Sequence, residues 1–211
     1  MKVLVIGATG NLGGEVVRTA LAAGHAVTAL ARDPSAIAIE DPNLQLTRGD
    51  VRDPASLQQA TEAQDAVISC LGTKDRTEGT LRTDGARNTI AAMRLNGVRR
   101  LIVFSAFGAG DSREHLKRDA PIFGRLVVPL LLKAAFEDMG RMEDEVRASG
   151  LDWTIVRPSA LTKKHATGAV NAVVDESAKV GANIPYADVA GFMVEQLASD
   201  RFLGMAPAIS A

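Results

Sequence analysis

The chain has 211 residues, 46% of them hydrophobic and 23% charged, with a formal net charge of −1 and one cysteine. That length suits one globular unit spanning 1–211 with a sizeable core. The near-neutral balance excludes a general electrostatic pull toward nucleic acid or anionic membrane, and one cysteine excludes an internal disulfide. A cytoplasmic protein acting on a small molecule, as monomer or homodimer, is the expectation. The first strand is expected to begin at Lys2, and on that reading no signal peptide or transit sequence precedes it.

Residues 3–6 form a continuous apolar run, Val3-Leu4-Val5-Ile6. The glycine-rich stretch Gly7-Ala8-Thr9-Gly10-Asn11-Leu12-Gly13 follows directly, and Leu12, Val16, Val17, Ala20 and Leu21 continue at helical spacing. This is the pattern of a buried strand, a tight turn and a helix. Gly7 permits the turn, Gly10 lets the backbone approach a pyrophosphate, and Gly13 lets the helix pack against the strand. The free amides and positive dipole end at residues 9–12 suit a diphosphate. The spacing is G-x-x-G-x-x-G rather than the commoner G-x-G-x-x-G.

Further strand-like runs fall at 26–31, 44–48, 66–71, 101–104 and 153–156, with helical candidates at 55–62, 80–95 and 134–148. Asp33-Pro34 and Asp53-Pro54 are start signals, and Asn96-Gly97 and Ser149-Gly150 are stops. Alternation at this spacing predicts an α/β fold, a Rossmann-like doubly wound parallel sheet. Two stretches break the rhythm. Residues 105–133 form a long insertion, charged and then apolar, whose 127–132 portion is equally readable as a pocket wall or as a core or subunit-packing segment. Residues 158–184 look irregular or hairpin-like and form a small C-terminal elaboration. Both leave the carboxyl ends of strands, where ligands of open α/β sheets bind. A last helix is expected from about 185 to 199. The 126–132 run is too short to span a bilayer.

The end of the second strand, Ala31-Arg32-Asp33, presents a guanidinium where an acidic residue would select NAD(H). NADP(H) is therefore the expected cofactor, with Arg32 at the 2′-phosphate. The competing readings make Arg32 a solvated charge and Asp33 a ribose ligand. Asp50 and Val51, closing the third strand, are candidates for the adenine, with Asp50 also readable as a helix-start charge. Leu71 and Gly72, in Ser69-Cys70-Leu71-Gly72-Thr73, lie where backbone can approach the cofactor ribose. Cys70 reads as a buried apolar residue. Ser105 stands after the fifth strand, where its hydroxyl either bonds a substrate carbonyl or caps the strand. Phe107 either stacks on an acceptor or joins the core. The only tyrosine, Tyr186, is followed four residues later by Ala190, so no Tyr-x-x-x-Lys pair exists for carbonyl reduction. His25, His115 and His165 are expected to be solvated, and no spacing suggests a metal. Hydride transfer to a flavin or quinone fits such a site, because the proton can come from water.

These motifs, together with Asp65-Ala66-Val67-Ile68, Gly85-Ala86-Arg87-Asn88, Ser105-Ala106-Phe107, 149–158 (SGLDWTIVRP) and Ala187-Asp188-Val189-Ala190, resemble the atypical short-chain dehydrogenase/reductase group with NAD(P)-binding NmrA-like domains. The likeness is greatest to the biliverdin reductase B / flavin reductase branch. It implies binding of NAD(P)H through the first glycine loop and a nicotinamide near Ser105, Arg157, Pro158 and Ser159. It also implies Ser105 as the active-site serine of that branch. A histidine found in the branch just after the sixth strand is replaced here by Ser159, which weighs against tetrapyrrole reduction. NmrA-like relatives also include redox sensors that bind the dinucleotide without turnover, which is the alternative function.

Overall fold

The computed structural model describes residues 1–72, 79–175 and 177–211. Its largest sheet, with strands numbered in chain order, runs β3-β2-β1-β4-β5-β6-β10-β8, where β8 is Asn171–Val173 and β10 is Ala208–Ser210. The first six strands are β1 (Lys2–Ile6), β2 (Ala26–Ala31), β3 (Leu44–Arg48), β4 (Ala66–Ser69), β5 (Arg100–Phe104) and β6 (Asp152–Pro158). All neighbours among them are parallel. The order 3-2-1-4-5-6 is that of two mononucleotide-binding halves, reversing between β1 and β4, and so gives the Rossmann-like doubly wound sheet expected.

Alternation along β1 shows why the sheet is covered on both faces. Val3 and Val5 pack with α1 (Asn11–Ala22) and α6 (Tyr186–Glu195). Leu4 and Ile6 pack with α2 (Pro54–Thr61), α3 (Leu81–Leu95) and α5 (Lys133–Arg147). Successive side chains point to opposite faces, so a strand buried on both sides reads as an unbroken apolar run. Each such side chain, fully buried, contributes about 2 kcal/mol from water transfer.

Local signals set the element ends. Asp53 caps α2, its carboxylate accepting from the Ala55 and Ser56 amides, and Gly24, Gly97 and Gly150 take positive φ after α1, α3 and α5. The α3 N-terminus is held from a distance. The carboxylate of Asp138, on α5, accepts from the Arg82 amide at 3.0 Å and the Thr83 amide at 3.2 Å.

Several expectations are corrected. β4 ends at Ser69, two residues early, because β1 ends at Ile6, its register partner. The 105–133 insertion is mostly helical: α4 (Arg113–Asp119) is followed by a π-helical segment over Phe123–Leu132. Pro129 lies inside it and has no amide to bond the preceding turn. A core role fails for most of this segment, since Leu126, Leu130 and Leu131 are exposed and only Gly124 and Val128 are buried. The 158–184 stretch is no local hairpin. β7 (Ala160–Thr162) pairs in parallel with β9 (Asn183–Pro185), while β8 (Asn171–Val173) pairs with β10 (Ala208–Ser210). β10, unforeseen, lies between β6 and β8. α6 stops at Glu195, short of 199.

The first turn depends on two close approaches. Gly7 has φ +83°, and a Cβ there would stand 2.6 Å from the Cys70 carbonyl oxygen. A Cβ on Gly13 would stand 2.1 Å from the Gly7 carbonyl oxygen. Gly13→Ala is expected to cost about 2–3 kcal/mol by overpacking against rigid backbone. Gly191→Ala, inside α6 with no atom within 4 Å of the added carbon, should be neutral or stabilise by up to about 1 kcal/mol. Urea unfolding of both variants checks the pair.

Candidate functional site

The helix α1 begins without a partner for its own amides. Gly10 is its N-cap, no side chain caps it, and its first turn holds no acidic residue. The Gly10 amide bonds the Gly7 carbonyl at 3.1 Å and the Gly14 amide bonds Gly10 at 2.9 Å. The amides of Asn11, Leu12 and Gly13, between them, bond no described residue. Free N–H groups at the positive end of a 12-residue helix are an anion site awaiting its anion. Space is available: a Cβ on Gly10 would meet only the Gly7 carbonyl oxygen, at 3.4 Å. The donor set and the room above it fit the diphosphate of a dinucleotide.

A cleft of about 590 Å³ opens there. Thr9, Gly10 and Asn11 form one wall; Ala36 to Ile39, after β2, and Thr162 to Ala166, from the end of β7 onward, form others, with Tyr186 at the start of α6. Leu12 is a core residue, buried among the α1 side chains.

At the β2–β3 end, Arg32 is exposed at the close of β2. Asp33 is engaged locally, accepting from the Ser35 hydroxyl at 2.6 Å and the Ser35 amide at 3.1 Å. The Ser35 hydroxyl, then its amide, hold the Asp33 carboxyl below its ordinary value. Asp50 makes a turn with its own chain, accepting from the Arg52 amide at 2.9 Å, and the helix-start role it was offered belongs to Asp53. Val51 is buried, and its carbonyl accepts from the Asn88 side chain at 3.0 Å. Leu71 is buried and Gly72 exposed; Thr73 lies outside the described residues.

At the β5–β6 end the side chains are already bonded to one another. Ser105 is fully buried, and its hydroxyl donates to Glu143 Oε1 at 2.6 Å. Arg157 Nε donates to the same oxygen at 3.0 Å, and its Nη2 bonds Glu143 Oε2 and Asp111 Oδ1. Arg147 reaches Asp111 at 3.0 Å. Burial works against ionising Asp111, but the Arg157 hydrogen bond and charge, with Arg147, outweigh it and hold its carboxyl below the usual range. The buried Glu143–Arg157 pair at its centre is costly to break, because deleting either member strands a charge. The Ser105 proton is thus committed to Glu143, which leaves the hydroxyl oxygen free to accept. Arg157 faces Glu143 and Asp111. Pro158 is buried, its carbonyl accepting from the Phe107 amide at 3.0 Å. The Ser159 amide bonds Ile209, while its hydroxyl oxygen is buried without a partner among the described residues.

Phe107 is a core residue, edge-on to His115 with ring centroids 4.9 Å apart. His115 itself is buried rather than solvated, its Nε2 within 3.1 Å of Asp119 Oδ2 and 2.9 Å of the Ala178 carbonyl oxygen. His25 sits 3.4 Å from the terminal amine, and burial chiefly lowers its pKa. His165 is exposed on the cleft wall. Among the described residues no group of three His, Cys, Asp or Glu could hold a metal. No helix there is long and apolar enough to cross a membrane.

Sequence reasoning missed Glu143 and Asp111, because their partners are distant in the chain. It also missed Lys163 and Lys164, which lie in a stretch with no periodicity. Asp188 stood only within a motif, and its work is visible now. Its carboxylate accepts from the Thr167 amide at 2.9 Å, the Thr167 hydroxyl at 2.7 Å and the Gly168 amide at 3.1 Å. This pins the far end of the cleft loop to α6.

The strand order, the glycine turn and the free amides define a dinucleotide-binding Rossmann-like protein. Residues 7–200 match the NAD(P)H-binding family, and the chain belongs to that family. The chain is 26% identical over 207 residues to the uncharacterized protein YwnB of Bacillus subtilis, covering 93% of this chain and 92% of that one. It is 32% identical over 115 residues to the photosystem II assembly factor Ycf39 of Synechocystis, covering 53% of this chain and 35% of that protein. Across the first three curated relatives it spans 35%, 62% and 26% of their lengths. Among solved structures, ChuY, an anaerobilin reductase from Escherichia coli O157:H7, superposes with a TM-score of 0.79 at 24% identity, covering 99% of this chain and 96% of that one. That likeness is one of fold.

Two outcomes follow from the site. Burial pushes the Cys70 thiol up to about 12, so iodoacetamide should leave the native protein unlabelled and modify it only after unfolding. Burial alone would raise the Asp188 carboxyl, but the Thr167 and Gly168 hydrogen bonds overcome this and lower it. Its folded pKa thus lies below its unfolded one. The resulting stability is present above the ordinary carboxylate value and is lost as pH falls below about 4. Asp188→Ala should cost about 1–3 kcal/mol at neutral pH and reduce the acid dependence of Tm, both measurable by thermal melts across pH.

Proposed function

We propose that this chain is an NADPH-dependent reductase that passes hydride to a small planar acceptor of flavin or quinone type. The observation that carries this reading is the row of α1 amides without acceptors, opening on a cleft large enough for more than a diphosphate. Thr9, Gly10, Asn11, Leu12 and Gly13 hold the diphosphate, with Gly7 and Gly13 fixing the turn. Arg32 takes the 2′-phosphate, and Asp50, Val51, Leu71 and Gly72 flank the adenosine. Ser105, Arg157, Pro158 and Ser159 form the nicotinamide end. When bound, the reduced nicotinamide supplies the hydride. Ser105, fully buried and with its proton given to Glu143, acts as a positioning residue that holds the Glu143–Arg157 cluster at this end. Positioning rather than acid catalysis carries the rate, in keeping with a lone tyrosine and no Tyr-Lys pair. The reductases among its relatives and structural neighbours support this class. The protein works as one unit in the cytoplasm.

A second reading, a redox sensor that binds NADP(H) without turnover, is favoured by the commitment of Ser105 and Arg157 to one buried cluster. NADPH oxidation with FMN, riboflavin and a panel of quinones separates the two. Turnover above the enzyme-free rate is expected, and tight NADPH binding without turnover would favour the sensor. Arg32→Ala should raise the NADPH KM, or the NADPH Kd in a sensor, by about tenfold with little change for NADH. Equal constants for the two nucleotides, unaffected by the substitution, would overturn the NADPH preference.

A further inference from the structure

The outward face of the Phe123–Leu132 segment is left bare by the fold. Ile122, Phe123, Leu126, Leu130 and Leu131 are all exposed, Ile122 to 74% and Leu130 to 76%. Gly124 and Val128 turn inward. Positions 122, 126 and 130 each lie two residues, about half a turn, from one of these, and so fall on the opposite side of the helix. Apolar side chains exposed singly need no explanation, but a group on one face marks a surface that something covers.

Charge around this face has one dominant sign. Residues 121–132 contain one charged side chain, Arg125, and no carboxylate. Lys133 follows and is exposed. α4 packs so closely on the segment that a Cβ on Gly124 would stand 3.0 Å from the Lys117 Cα, which brings Arg113, Lys117 and Arg118 alongside. The Lys117 hydrogen bond leads in holding the Glu114 carboxyl below its ordinary value, and the charges of Arg113 and Arg125 add to it. The cations of α4 and of the apolar segment thus share one field. Between residues 113 and 133 five Lys and Arg stand against two carboxylates, Glu114 and Asp119, on a chain whose net charge is −1. The overall balance hides a local positive rim.

A second copy of this chain is a poor cover for such a face. An isologous contact sets the same patch against itself, so the basic rim would meet its own charge. A stable dimer also takes about 20–30 residues a side. An anionic lipid surface answers both features, because apolar side chains enter the acyl boundary while Lys and Arg meet the headgroups. We propose that this face docks the protein on membranes containing anionic phospholipid. Leu126, Leu130 and Leu131 enter the interface, and Arg113, Arg125 and Lys133 meet the phosphates. Too short to cross a bilayer, the segment lies along its surface.

Vesicle flotation of the full chain tests this without turnover, so its failure is distinct from a failure of the reductase reading. Vesicles of phosphatidylcholine alone are compared with vesicles containing about one third phosphatidylglycerol. Binding to the anionic vesicles about tenfold tighter is expected, weakening as salt rises. Leu130→Ser/Leu131→Ser should abolish flotation at unchanged Tm, because both side chains are exposed. Arg125→Glu/Lys133→Glu should erase the preference for phosphatidylglycerol, which keeps the proposal falsifiable even if the leucine variant melts early. No flotation with either vesicle, equal affinity for the two, or a charge-reversed variant that keeps the preference overturns the proposal. So does a dimer in sedimentation velocity that the leucine variant splits, since a second copy would then cover the face.

Discussion

One close approach governs the arrangement of the site: α1 sits so near the turn before it that any Cβ on Gly13 would collide with the Gly7 carbonyl oxygen. That approach brings the start of α1 to the carboxyl edge of β1, beside the place where the strand order reverses. With no capping side chain and no acidic first turn, the helix leaves its leading amides unsatisfied. Such groups cost free energy unless water or a ligand bonds them. The fold thus carries a standing preference for an anion at one point, and the cleft walls are arranged around it.

The opposite end of the sheet is built on another principle. β5, β6 and α5 are joined by Ser105, Glu143 and Arg157, with Asp111 linking the cluster outward to Arg147. Its members satisfy one another, so the cluster is rigid and orients backbone more than it offers reactive groups. The Phe107 and Ser159 amides, which bond Pro158 and Ile209, continue that rigidity along the sheet end.

Much of this was legible in the residues. The strands 26–31 and 44–48 match to the residue, because apolar runs bounded by turn signals fix both ends. The glycine turn was legible because each glycine answers a steric need that no other residue meets. What escaped was non-local. β10 has three residues, too few to show a period. The Ser105–Glu143 bond joins residues 38 apart, and only the packing of α5 on the sheet brings them together. His115 was misjudged as solvated because charged neighbours surround it in sequence, whereas in space its ring meets Phe107. Ser105 was legible as a position at a strand end; the destination of its proton was not.

The placement of β10 bears on how the molecule assembles. It pairs Ala208 with Arg157 on one side and with Val173 on the other, so β8 has no neighbour in the sheet until this late segment docks. In the large sheet β8 can therefore pair only once β10 is in place. Long-separation pairings of this kind close slowly, since loop entropy is lost before contacts repay it. That late-docking strand also holds the Ser159 amide, through the Ile209 carbonyl.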